Sequence, residues 1–223
     1  MKAPSFTKRP GRPKAEQPEF PKVVRMQQFR SMGATPHLDP VSGKLTATMP
    51  VYDQCSMGWS VQPVTQPELS AYPCGILFAK GLLTKSELIA AGMHVWAHIQ
   101  ILGRRGTMVK SLSALEVANQ IAEGDGEPIS RLAALGMVSQ NDPVAAEAIS
   151  RAYRAANALL LRRGFDVHGT INGLVVYEGY QGWWLEQNRP EKTKPYKWIK
   201  AGMGVLEKHW PDEVERMIGV FCP

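Results

Sequence analysis

From residue 84 onward, apolar side chains recur at intervals of three and four, the spacing that lines one face of a helix. Thr84 with Glu87 three residues on makes a capping box. Leu88, Gly92, Val95, Trp96, Ile99 and Leu102 then share a face, which predicts a helix to about Leu102 with Gly103 as its stop. Ser113 and Glu116 repeat the box, with Leu115, Ala118 and Ile121 behind it, until Gly124-Asp125-Gly126 breaks the run. A short helix is predicted over 128–135, ended by Gly136. Asp142 followed by Pro143 is a strong start: a side-chain acceptor, then a residue whose missing N–H costs nothing in the first turn. Behind it Val144, Ala148, Ile149, Ala152, Ala156, Leu159 and Leu160 give a buried stripe, and Gly164 stops the helix after Arg162 and Arg163, which complement its dipole. Residues 170–178 (TINGLVVYE) read equally as a strand or a short helix. Pro195 opens a helix through Trp198, Ile199, Met203, Leu206 and Trp210; Pro211 is predicted to end it, with a short helix over 212–220 to follow.

The earlier half of the chain has no such period. Pro36, Pro40, Pro50, Pro63, Pro67 and Pro73 punctuate residues 31–80. Residues 45–52 (LTATMPVY) alternate as a strand, with Pro50 favouring an edge position. Residues 75–83 (GILFAKGLL) suit a strand or a helix. Residues 1–22 hold five prolines among charges, which argues for an extended, solvated arm. The expected organisation is therefore a basic arm over 1–22, a coil-rich segment over 23–83 that wraps the body or a neighbouring subunit, and a helical domain over 84–223. The fold class is mainly α, a small helical bundle with little β-structure.

Charge sharpens this picture. The 223 residues carry a net charge of +6, and residues 1–30 alone hold eight basic and two acidic residues. The other 18 basic and 18 acidic residues cancel. A basic end on a neutral body points to a polyanion partner. An apolar content of 44% and an aromatic content of 8% belong to a folded globular chain rather than to a disordered or fibrous one. Three cysteines, Cys55, Cys74 and Cys222, are too few for a disulfide framework. The N-terminal residues lack the apolar core of a secretory signal, and no apolar run approaches the ~18 residues of a membrane span. A cytoplasmic protein with no membrane partner is expected.

Within the arm, Lys8-Arg9-Pro10-Gly11-Arg12-Pro13-Lys14 resembles an AT-hook, a Gly-Arg-Pro core flanked by basic residues. Pro10 stands where the usual core has a second arginine, and Arg9 lies one residue further back. The minor groove of A·T-rich DNA is narrow and strongly negative, which draws in an arginine side chain. Glycine removes the side chain that would hold the backbone off the groove floor, and prolines limit the entropy lost on binding. The resemblance implies that Gly11, Arg12 and Pro13 sit in the groove while Lys8, Arg9 and Lys14 touch phosphates. Five or six phosphate contacts correspond to a log K against log salt slope of roughly −5. That is weak binding by itself, so a second contact is expected from the body, from a partner or from a homo-oligomer that multiplies arms. The implied function is a DNA-binding transcriptional regulator or architectural accessory. The alternative is a structural or packaging adaptor of a phage or mobile element, which the outline of a helical body with a long wrapping arm resembles.

Other constellations are weaker. Residues 113–136 have the outline of a helix-turn-helix with Ser130 and Arg131 toward the major groove, but the turn over 123–127 exceeds three or four residues, so two ordinary packed helices are expected. His94 and His98, at i and i+4, share a helix face; Cys55 and Cys74 could complete four ligands, yet their separation lacks zinc-knuckle spacing, and no metal or other cofactor is expected. Trp183 and Trp184 near Lys192, Lys194, Lys197 and Lys200 suit either a base-stacking surface or a small core. No nucleophile elbow, phosphate-cradling loop or dinucleotide fingerprint occurs, so no enzyme is expected.

Overall fold

The computed structural model describes residues 22–40, 42–104, 127–177 and 189–222. It is mainly helical with one small sheet. Among the described residues there are seven α-helices: α1 (Lys22–Ser31), α2 (Pro73–Ala79), α3 (Lys85–Arg104), α4 (Glu127–Asn141), α5 (Pro143–Arg163), α6 (Phe165–Ile171) and α7 (Lys194–Phe221). Three strands, β1 (Thr35–Leu38), β2 (Leu45–Asp53) and β3 (Gly58–Pro63), form an antiparallel sheet in the order β1-β2-β3.

Local signals set most helix starts. The capping box closes reciprocally: Glu87 N–H donates to Thr84 Oγ1 at 3.2 Å and Thr84 N–H to Glu87 Oε2 at 2.8 Å. Asp142 Oδ1 accepts from the Val144 N–H at 2.8 Å to open α5, and Gly164, at φ +135°, closes it in a conformation that side chains resist. The buried stripe of α5 is Ala145, Ile149, Ala152, Ala156 and Leu160. Val144, expected inside, is exposed, because the stripe begins one residue later.

Tertiary packing overrides two expected breaks. Gly136 does not end α4, which runs on to Asn141. It is buried, and a Cβ there would lie 3.3 Å from Gln100 Nε2 and 3.6 Å from Trp96 Nε1, so the glycine permits close approach to α3. Pro211 does not end α7 either; the helix spans 28 residues through it. Pro211 is exposed, so the carbonyl left without an intrahelical donor can bond to water. Of residues 170–178, 170–176 resolve as helix, and Glu178 lies outside the described residues: α6 runs on into a π-helical turn, Asn172–Val176, that buries Leu174, Val175 and Val176.

The strand expected over 45–52 is β2, joined by two strands the sequence did not predict. Pro50 sits on the middle strand rather than on an edge strand, but β1 pairs only with residues 45–48. The N–H of Tyr52, which points to the same side as the proline nitrogen, goes to Lys80 O at 2.8 Å. Pro50 thus lies just past the end of β1, where no ladder bond is lost.

One hydrophobic core runs from Phe29 and Met49 through Leu77, Leu88, Trp96 and Ile149 to Trp210 and Met217. The sheet segment is therefore packed on the helical body of its own chain. Polar bonds fasten the join: Lys200 Nζ meets Glu87 Oε1 at 2.5 Å and Gln54 Oε1 at 3.4 Å, Tyr196 Oη donates to Leu82 O at 3.2 Å, and Trp59 Nε1 donates to Glu191 Oε2 at 3.3 Å.

Candidate functional site

The AT-hook-like residues Lys8, Arg9, Gly11, Arg12, Pro13 and Lys14 lie outside the described residues, as do Trp183, Trp184 and the first half of the helix-turn-helix outline. Ser130 and Arg131 fall on α4. Among the lysines grouped with those tryptophans, Lys192, Lys194 and Lys197 are exposed, while Lys200 is taken up by Glu87. Trp210 is fully buried and Trp198 half-buried, as their periodicity predicts for core residues.

His94 and His98 do share a face of α3, but their partners are not cysteines. Cys55 is exposed after β2 and Cys74 is buried in α2. Helix packing instead brings together four of the chain's five histidines: His94, His98, His168 and His209. His94 is fully buried. Its Nδ1 accepts from Trp210 Nε1 at 3.3 Å, and its ring stacks on Tyr153 with centroids 4.7 Å apart. Burial pushes its pKa down from the ordinary 6.5 to about 3, although the neighbouring Asn172 side chain favours its protonated form. The ring is therefore neutral, and an acceptor at Nδ1 leaves the proton on Nε2. Among the described residues, neither His94 Nε2 nor Asn172 Oδ1 has a hydrogen-bond partner.

Around this ring, His98 Nδ1 and Tyr153 Oη are 2.9 Å apart, and burial lowers the pKa of this histidine and raises that of Tyr153. His168 Nε2 and Asn172 Nδ2 each lie 3.1 Å from Asn157 Oδ1. His209 Nε2 donates to Ala152 O at 2.9 Å. Among the described residues no group of three His, Cys, Asp or Glu side chains converges as a metal site. The cluster is a polar seam in the core, with its rings committed to one another and to amides.

A second feature lies on the surface, where α5 and α7 pack together. A groove of about 530 Å³ opens between them. Leu159, Gly204, Val205 and His209 line it together with three cations, Arg162, Arg163 and Lys208. The spacing explains the set: 159, 162 and 163 share a face of α5, as do 204, 205 and 208 of α7. All three cations are exposed. Among the described residues, ion pairs join Arg154 to Glu147, Lys200 to Glu87 and Arg216 to Glu213, and none of these takes up a groove cation. The sequence marked Arg162 and Arg163 only as complements to a helix dipole and did not single out Lys208. The i, i+4 spacing of Gly204 and Lys208 was visible, but nothing local says that α7 faces α5.

Among the described residues, no helix is long and apolar enough to cross a membrane. No protein-family model, curated protein or solved structure matches the chain, so its functional reading rests on its own charge distribution and geometry.

Proposed function

We propose that this protein binds DNA as an accessory or regulatory factor, with the basic N-terminal arm as its principal contact. The observation that carries the reading is the segregation of charge: the whole net excess of +6 lies in residues 1–30, and the remainder is balanced. A cationic arm releases counterions from DNA phosphates, a favourable entropy that does not depend on base sequence. Arg12, between Gly11 and Pro13, is the residue for insertion into an A·T-rich minor groove, and Lys8, Arg9 and Lys14 are the phosphate anchors.

The test is a competition between A·T-rich and G·C-rich duplexes for the full-length chain and its Arg12→Gln variant. Loss of groove insertion should weaken A·T-rich binding about tenfold, an energy within the range of a single base-edge contact, and leave G·C-rich binding within about threefold. Equal losses on both duplexes would make Arg12 a phosphate anchor. No loss on either would remove Arg12 from the interface.

A further inference from the structure

The groove between α5 and α7 has a use that the arm alone does not supply. We infer that Arg162, Arg163 and Lys208 form a second DNA-backbone contact on the folded body, which takes phosphates of the duplex the arm holds. This rests on the DNA-binding reading above and adds where on the body the duplex lies.

Three observations support it. The cations come from two different helices yet line one groove of about 530 Å³, so a single ligand can meet all three. They are exposed, and among the described residues no carboxylate pairs with them, whereas Arg154, Arg216 and Lys200 do have acidic partners. The next acids along α7, Glu207 and Asp212, are not part of the lining. Gly204 leaves the groove open: a Cβ there would meet nothing within 4 Å. A duplex strand carries one phosphate charge per ~3.4 Å of axis, so it offers a row of anions to cations carried on two helices. Guanidinium groups hold phosphate oxygens bidentately, and lysine adds a point charge.

A weak arm and a weak groove on one duplex reinforce each other, because binding of the first raises the effective concentration of the second. This meets the need for a second contact without invoking a partner protein.

The experiment measures DNA affinity against salt for the full-length chain, for Arg162→Gln/Arg163→Gln/Lys208→Gln, for Gly204→Glu and for Gly204→Ala. Circular dichroism melting checks that each is folded. Each lost phosphate contact lowers the log–log salt slope by about 0.9, so the triple variant should be shallower by two to three and bind at least tenfold more weakly at moderate salt. Gly204→Glu, which places a carboxylate between the cations, should weaken binding in the same direction, and Gly204→Ala should bind as the parent does. A parent-like slope and affinity in both the triple variant and Gly204→Glu would overturn the groove contact while leaving arm-dependent binding intact. Absence of DNA binding by the parent would instead overturn the DNA-binding reading, and the groove contact with it.

Discussion

His94 is buried without charge, so folding excludes a proton that the unfolded chain accepts. Its pKa falls from 6.5 in the open chain to about 3 in the fold. Between those values the unfolded state binds more protons, and stability therefore rises with pH. The contribution is complete above about pH 6.5 and is lost as pH falls toward 3; its full size is on the order of 4–5 kcal/mol. The lowered pKa of His98 acts in the same direction. Melting temperature should thus drop between pH 7 and pH 4, and the drop should shrink in His94→Gln, which keeps an acceptor for Trp210 Nε1 but does not titrate. An unchanged drop in that variant would remove His94 as its source. Two glycines of α7 make a sharper comparison. A Cβ at Gly202 would lie 2.2 Å from Ile171 Cγ1, in a fully buried contact with α6, whereas Gly204 has open space. Gly202→Ala should destabilise the fold by about 1–3 kcal/mol through overpacking. Gly204→Ala should stabilise it by up to about 1 kcal/mol through helix propensity. Denaturant unfolding of the two variants reads both signs.

Helix α7 holds the architecture together, because it touches α3, α5, α6 and, through Lys200, the sheet segment. Glu87 is buried and serves both as the cap partner of Thr84 and as the anion facing Lys200. Lys200→Met should cost about 2–4 kcal/mol in chemical denaturation, since it leaves a buried carboxylate without its counter-charge. A loss below about 1 kcal/mol would mean that water already shields the pair. The helix caps were legible in the sequence because a cap is decided within four residues: Thr84 with Glu87, Asp142 with Pro143, and Gly164 all act where they were expected. Gly136 and Pro211 were misread for the complementary reason. Their effect depends on what lies beside the helix, a close neighbour in the first case and solvent in the second. Strands β1 and β3 escaped notice because they are short and mostly exposed, so they carry almost no alternation. Of the candidate DNA contacts, the arm could be read as a local run of charge. The groove could not, because it exists only once α5 and α7 are paired.

Charge is distributed unevenly along the molecule. Its helical body and small sheet share one core; residues 1–22 carry six basic and two acidic side chains, +4 of the net +6, and Arg25 and Arg30 on α1 supply the rest. The groove on the body adds a compact set of cations that the overall balance conceals. Arm and groove together imply a salt dependence steeper than either would give alone. The decisive measurement is the salt dependence of duplex DNA binding by the full-length chain, beside a variant with Lys8, Arg9, Arg12 and Lys14 all changed to glutamine. The parent should show a log–log slope of about −7 to −8, and neutralising four arm cations should make it shallower by three to four while lowering affinity at least a hundredfold at moderate salt. A variant that keeps the slope and affinity of the parent would contradict the assignment of the arm as the principal DNA contact.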